Sequence, residues 1–186
     1  MIGIIDCGTS FLNQLQGSLE DLGYTSDTIN VKDVKNEDLQ RFSGIIISGA
    51  PILLTSVDKQ KYLDIFEFIK TIGIPVLGIC FGHQVIGLLY DAEISIIDMV
   101  SKRLPIEIVK PDVLFSGAKN HALLKEEHSE CITLPKDFDL LAQSNTCPNE
   151  AMKHKEKNIF GVQFHPEMSG ANGRVILQNF LELCEE

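Results

Sequence analysis

Short apolar runs alternate with longer amphipathic runs through the first half of the chain, and this alternation constrains the fold more than any other feature. Residues 2–6, 44–48 and 76–80 are nearly continuous apolar runs, which is typical of strands buried on both faces of a parallel sheet. Residues 11–23 and 57–73 carry apolar side chains at helical spacing. The pattern predicts an α/β fold with a doubly wound, mostly parallel sheet and helices on both faces.

The second half of the chain is less regular. Residues 92–135 give only short strand candidates and mixed polar loops. An amphipathic helix is predicted over residues 172–184, and three strand candidates precede it, at residues 139–144, 150–154 and 159–164. Because no repeat, low-complexity tract or linker interrupts the chain, we expect a single domain over residues 1–186.

Composition argues against several classes of function. Asp and Glu number 26 against 16 Lys and Arg, and the net charge of −10 argues against a nucleic-acid partner. No apolar stretch reaches the ~18 residues of a membrane span, and the first residues lack the features of a signal peptide, so we expect no membrane partner. The five cysteines are scattered without a CxxC pair, which predicts a cytoplasmic protein with no metal site.

One cysteine stands where an apolar run ends and a helical run begins. Cys80 lies between Gly78 and Gly82, in the sulfur analogue of the G-x-S-x-G nucleophile elbow. Ligands of open α/β sheets bind at such strand ends, and a helix N-terminus favours a thiolate. The Phe81 N–H would then donate to an oxyanion beside the sulfur. The alternative is a buried, inert cysteine in a glycine-containing turn.

A histidine and a glutamate follow the last strand candidate. His165 and Glu167 flank Pro166, and proline stiffens the backbone on both sides of the motif. A carboxylate beside an imidazole fixes its tautomer and stabilises the imidazolium. With Cys80, the pair would complete a set of nucleophile, base and orienting group. The alternative for His165 is a lone core histidine.

A third strand candidate ends in small residues. Ser48, Gly49 and Ala50 precede Pro51, and such a turn lets backbone N–H groups approach a substrate closely. Ala50 could supply a second oxyanion donor. Taken alone, the stretch is also typical of an ordinary turn.

These stretches together resemble the class I (triad) glutamine amidotransferases, which have a flavodoxin-like α/β fold. The two most specific motifs of that family occur here in order, as "GICFGHQ" and "GVQFHPE". The resemblance implies that Cys80 is the nucleophile, that His165 is the general base and acid, and that Glu167 orients His165. The match extends from "IIDCG" to the last helix.

The resemblance also implies a substrate site. Gln84 would help to hold the substrate, L-glutamine. The turn at Gly49 and Ala50 would line the oxyanion hole together with Phe81.

Within the family, "TCPNEAMKHKEKNIFGVQFHPE" most resembles the amidotransferase subunits of two-subunit GMP synthases. This resemblance implies that ammonia goes to a separate ATP-dependent synthetase (ATP-pyrophosphatase) subunit, which makes GMP from XMP. It also suggests that His128 contacts substrate or partner; the alternative is an exposed loop histidine. No phosphate-binding loop occurs in the sequence, so we expect no cofactor in this chain, with ATP and Mg²⁺ only on the partner.

Several departures from the family pattern leave other functions open. The usual Gly-Gly-Pro turn reads Gly49-Ala50-Pro51, and an alanine that needed a positive φ would cost about 1 kcal/mol. The first loop, "DCGTSF", lacks the expected glutamine, and residues 93–105 lack the usual acidic and glycine-rich pattern. The alternatives are an amidotransferase subunit of anthranilate or aminodeoxychorismate type, a γ-glutamyl hydrolase or peptidase, and a degenerate regulatory paralogue without activity.

Overall fold

The computed structural model describes residues 1–185 as one curled sheet of nine strands with four α-helices. The helices are α1 (Leu12–Asp21), α2 (Lys59–Phe66), α3 (Phe81–Leu89) and α4 (Gly170–Leu183). The strands are β1 (Ile2–Asp6), β2 (Ser26–Asn30), β3 (Gly44–Ile47), β4 (Val76–Ile79), β5 (Ile94–Ile108), β6 (Ala122–Ile132), β7 (Phe138–Gln143), β8 (Ala151–His154) and β9 (Ile159–Val162). The predicted α/β class is confirmed.

The first half of the sheet is parallel, in the order β2-β1-β3-β4-β9. Helices cover both of its faces, which explains why β3, β4 and β9 are apolar throughout. On one face α1 and α4 pack against alternate strand residues such as Ile4 and Leu77. On the other face α2 and α3 pack against their neighbours in sequence, such as Ile5 and Val76. This arrangement brings the carboxyl ends of β3, β4 and β9 to one edge of the sheet.

The second half of the sheet is antiparallel, in the order β9-β8-β7-β5-β6. Its main element is the long hairpin of β5 and β6, which occupies most of the region 92–135 that the sequence left unassigned. The alternation of apolar and polar residues that marks a strand is hard to recognise in β5. Most of its side chains are exposed, and its register shifts between Ile96 and Val100. The doubly wound parallel sheet is thus completed by four antiparallel pairings.

The hairpin also reaches the ends of the parallel strands. Lys125 of β6 forms an isolated antiparallel bridge with His165, just beyond β9. Among residues 1–185, no helix has both the length and the apolar character needed to cross a bilayer.

Candidate active site

Cys80 occupies a sharp turn between β4 and α3. Its backbone is strained, with φ 51° and ψ −102°, a conformation that residues other than glycine rarely adopt. A Cβ at Gly78 would lie 2.5 Å from the carbonyl carbon of Gly82, and a Cβ at Gly82 would lie 2.5 Å from the Ile47 oxygen. Both flanking glycines are therefore required by close backbone packing, as the nucleophile-elbow pattern predicts.

His165 and Glu167 form the second part of the site, just after β9. His165 Nδ1 lies 2.8 Å from Glu167 Oε1, and both side chains are almost fully buried. The His165 backbone N–H donates to the Lys125 carbonyl at 2.8 Å, and the Ser169 hydroxyl donates to the His165 carbonyl at 2.6 Å. The ring of Phe11 packs edge-on against the imidazole at 5.0 Å between centroids. These contacts fix both the backbone and the ring orientation of His165.

A Cβ placed on Gly49 would touch the side chains of both Cys80 and His165, so the two side chains lie next to each other. The Cys80 sulfur itself lies 3.7 Å from the Glu127 carbonyl oxygen. Burial acts to lower the pKa of His165, but hydrogen bonds and charge interactions with Cys80 and Glu167 outweigh it and raise the pKa to about 10. These interactions favour the protonated imidazole. The fold thus brings Cys80 close to His165 and Glu167, which follow it by 85 and 87 residues in the chain.

The turn after β3 lies against this triad. A Cβ at Gly49 would come within 3.0 Å of His165 Cε1 and 3.7 Å of Cys80 Cβ, so only glycine fits there without displacement. Among non-glycine residues 1–185, positive φ is confined to Cys80, Asp91 and His121. Ala50 therefore carries none of the strain that a positive φ would impose.

Two residues near Cys80 have unpaired backbone N–H groups in the described part of the chain: Phe81 follows it in the chain, and Ala50 lines the same cavity. The N–H groups of Ala50 and Phe81 have no hydrogen-bond acceptor among residues 1–185. Phe81 is the first residue of α3, where backbone N–H groups have no partner within the helix. Both groups are free to donate to a ligand.

A cavity of about 280 Å³ opens beside Cys80. This volume is just below the ~300–1,000 Å³ of pockets for drug-sized ligands and suits a ligand as small as an amino acid. Its wall also includes Gln84 and His165 and segments of the β1–α1 loop, the β3–α2 loop and β6. Gln84 donates from Nε2 to the Glu130 carbonyl and to Gln163 Oε1, both at 3.1 Å. Gln163 in turn donates to Cys80 Sγ at 3.5 Å.

Glu130 is a buried residue of this site that the sequence did not indicate. Its carboxylate accepts hydrogen bonds from the Leu54 N–H at 2.8 Å, from the Thr55 N–H at 2.9 Å and from the Thr55 hydroxyl. These bonds anchor the cavity-lining loop after β3 to the hairpin. No local pattern could have revealed them, because the partners are 75 and 76 residues apart.

His128 borders the cavity but is not an exposed loop residue. It lies on β6, is almost fully buried, and its Nδ1 lies 3.0 Å from the Glu130 carbonyl. Its Nε2 lies 3.0 Å from a carboxylate oxygen of Glu126. A contact from His128 to substrate or partner stays a prediction, since both ring nitrogens face groups of this chain.

Comparison with known proteins agrees with this geometry. The sequence profile of the family "Glutamine amidotransferase class-I" matches residues 3–184. The chain belongs to the class I glutamine amidotransferase family.

Individual relatives within this family bear a more specific name. The chain is 37% identical to the glutamine-hydrolyzing GMP synthase subunit of Pyrococcus abyssi over the full length of both chains. It is 32% identical to the protein of the same name from Methanobrevibacter smithii, over 98% of this chain and 95% of the relative. A crystal structure from Thermoplasma acidophilum, described as a GMP synthase subunit, superposes with a TM-score of 0.90 at 27% identity over 99% of this chain and 93% of that one.

Proposed function

We propose that this protein is the glutamine-hydrolysing subunit of a two-subunit GMP synthase. The observation that carries the proposal is that Cys80 lies beside the His165–Glu167 pair at the edge of a cavity of amino-acid size. The full-length relatives that bear the name of a glutamine-hydrolyzing GMP synthase subunit support the choice of pathway.

The reaction begins with attack by the sulfur. The Cys80 thiolate, paired with the His165 imidazolium, adds to the side-chain amide carbon of L-glutamine. The developing oxyanion accepts hydrogen bonds from the N–H groups of Ala50 and Phe81, and each such donor contributes about 3 kcal/mol. His165 then gives its proton to the leaving nitrogen, and ammonia departs from a γ-glutamyl thioester.

The second half of the reaction regenerates the enzyme. His165, now neutral, takes a proton from a water molecule that attacks the thioester carbon. The second tetrahedral intermediate collapses, the Cys80 sulfur leaves as a thiolate, and glutamate is released. Glu167 keeps the imidazole in one tautomer and stabilises its charged form in both steps.

Ammonia released here would be used by another protein. We place ATP and Mg²⁺ on a partner synthetase subunit of the ATP-pyrophosphatase type, and both subunits in the cytoplasm. Apolar side chains at the cavity mouth support a docked partner, because Leu53 and Met99 are exposed there and Ile96 lies nearby in sequence with two thirds of its surface exposed.

The test is a reconstituted assay with the synthetase subunit encoded by the same organism. The mixture contains XMP, ATP, Mg²⁺ and glutamine, and GMP is measured by chromatography. We expect GMP only when this chain is present, and we expect the synthetase to raise the rate of glutamine hydrolysis by this chain.

Ammonium chloride in place of glutamine provides the matched control. With ammonium the synthetase should form GMP without this chain, and the Cys80→Ala chain should block only the glutamine-dependent reaction. A synthetase that is active with ammonium but never with glutamine plus this chain would contradict the proposed pathway.

A further inference from the structure

A second cluster of ionisable side chains lies behind the cavity. Glu126 and His128 sit on the inward face of β6, because alternate residues of a strand point to the same side. Glu150 immediately precedes β8 and is held by backbone hydrogen bonds to Ala142 and Gln163. One ligand atom from each of these three side chains lies within 4.8 Å of the other two.

The cluster is sealed from solvent and short of partners. Glu126 and Glu150 have no exposed surface, and His128 is 5% exposed. Both carboxylate oxygens of Glu126, Oε2 of Glu150 and Nε2 of His128 lack a well-directed hydrogen bond among residues 1–185. His128 Nε2 and Glu126 Oε2 lie 3.0 Å apart and can form an ion pair, but Oε1 of Glu126 and Oε2 of Glu150 have no such partner among residues 1–185. Buried polar atoms are normally satisfied, so these two oxygens indicate a missing ligand.

The two buried carboxylates also need compensating charge, because neither can stay ionised in a dry interior without positive charge or a proton nearby. A divalent cation would supply that charge.

We propose that Glu126, His128 and Glu150 bind a divalent transition-metal cation, for which Zn²⁺ is the probe. Imidazole nitrogen and carboxylate oxygen are both ligands that zinc takes in proteins. Two thiols beside the cluster, Cys131 and Cys147, make the surroundings softer than Mg²⁺ or Ca²⁺ prefer. No spacing motif marks this site in the sequence, because its ligands come from two distant strands.

The cation would have a structural task. Glu126 and His128 are four and two residues from Glu130 on the same inward face of β6, and Glu130 anchors the cavity-lining loop. Binding would tie β6 to the start of β8 and so fix the hairpin behind the cavity. Metal content, and not activity, is therefore the direct measure of the site.

The test uses untagged full-length protein with the substitution Cys80→Ala, so that the triad offers no thiolate to a metal. Zn²⁺, Co²⁺ or Mg²⁺ is added in excess during refolding, unbound metal is removed by gel filtration, and bound metal is counted by mass spectrometry. We expect about one Zn²⁺ or Co²⁺ per chain, no retained Mg²⁺, and a higher melting temperature with Zn²⁺ than with a chelator.

Variants assign the metal to these ligands. Glu126→Gln and Glu150→Gln, made in the Cys80→Ala chain, should each weaken Zn²⁺ binding at least ~10-fold. Glu107→Gln removes an exposed carboxylate of β5 and should leave binding unchanged. Circular dichroism checks that each variant folds.

Two results would overturn the proposal. One is a folded Cys80→Ala chain that retains no Zn²⁺ or Co²⁺ and shows no change in melting temperature, which would mean that protons alone balance the cluster. The other is unchanged zinc binding in a folded Glu126→Gln or Glu150→Gln chain. The first result needs no variant of the cluster, so the proposal stays testable even if those variants fail to fold.

Discussion

Two places in the molecule bring a cysteine, a histidine and a glutamate together, and they differ in what surrounds the sulfur. In the first, Cys80 lies beside His165, which is paired with Glu167. In the second, Cys131 is near enough to His128 to raise the pKa of its imidazole, and that ring lies 3.0 Å from Glu126. Both sulfurs are nearly buried, with 6% of Cys80 and 5% of Cys131 exposed.

The two places differ in the backbone conformation of the cysteine and in its access to the cavity. The exposure of the sulfur and the direction of the histidine pKa shift are similar in both. In both, burial acts to lower the histidine pKa and contacts with the neighbouring cysteine and glutamate raise it, to about 10 for His165 and to about 11 for His128. Cys80 sits on a strained turn at a helix N-terminus and borders the cavity. Cys131 lies within β6, and the cavity wall does not include it. A reactive triad thus needs a substrate site and free N–H donors as well as the three side chains.

Replacing each cysteine in turn should give the largest difference in glutamine hydrolysis between the two places. Cys80→Ala should reduce glutamine hydrolysis at least ~10³-fold, because the thioester can no longer form. Cys131→Ala should retain activity within about threefold, since its sulfur does not border the cavity. Steady-state release of glutamate measures both, and equal losses in the two variants would remove the distinction.

Glu167→Gln should have the next largest effect on activity. The amide keeps the shape of the side chain but removes the charge that stabilises the His165 imidazolium, and we expect kcat to fall about 10²–10⁴-fold. The matched change in the second cluster, Glu126→Gln, should lower kcat far less in a folded chain. A Glu167→Gln chain with full kcat would show that His165 works without an orienting carboxylate.

Glu130→Gln should act on substrate binding more than on chemistry. An amide cannot accept all the hydrogen bonds that the Glu130 carboxylate receives from Leu54 and Thr55, and an unsatisfied buried group costs about 1–3 kcal/mol. We expect KM for glutamine to rise about tenfold, with a smaller change in kcat. Thr55→Val removes only one of these bonds and should give a smaller rise in KM, whereas a fall in kcat at constant KM would contradict a positioning role.

A smaller effect is expected on the pKa of His165 when the Cys80 sulfur is removed. In the Cys80→Ala chain the raising effect of the sulfur is gone while burial still lowers the pKa, so the His165 pKa should fall below about 10. A titration followed by NMR of the imidazole Cε1–H measures this shift. An unchanged pKa would mean that the sulfur does not contribute to the charge of the imidazole.

The same shift predicts how stability depends on pH. The folded-state pKa of His165 lies above its ordinary value of 6.5, so its contribution to the free energy of unfolding is fully present below pH 6.5 and is lost as pH rises towards about 10. The wild-type chain should therefore lose more stability than Cys80→Ala between these pH values. Urea unfolding at several pH values would measure the difference.

Local patterns in the sequence predicted the parallel half of the molecule well. The elbow at Cys80 and the strands beside it depend on such patterns, namely apolar runs, glycines and the ends of strands. The His165–Glu167 pair is separated by only one residue, so its contact too could be foreseen.

Other parts of the molecule depend on contacts that leave no local pattern. The hairpin of β5 and β6 has mostly exposed side chains on β5 and a register shift, which hide its period of two. The Glu130 carboxylate, Gln163 and Phe11 join the site through partners 75 or more residues away. The cluster around Glu126 likewise needs Glu150, which is brought to it by the antiparallel half of the sheet.

Covalent labelling can decide whether Cys80 is the one sulfur poised for attack on glutamine. The wild-type chain is treated with a glutamine analogue that carries a diazoketone in place of the amide, and the adduct is located by intact mass and peptide mapping. We predict a single adduct on Cys80, slowed by glutamine and abolished by Cys80→Ala. Labelling of Cys131 in its place, or an unlabelled Cys80 in a folded chain, would contradict this assignment of the nucleophile.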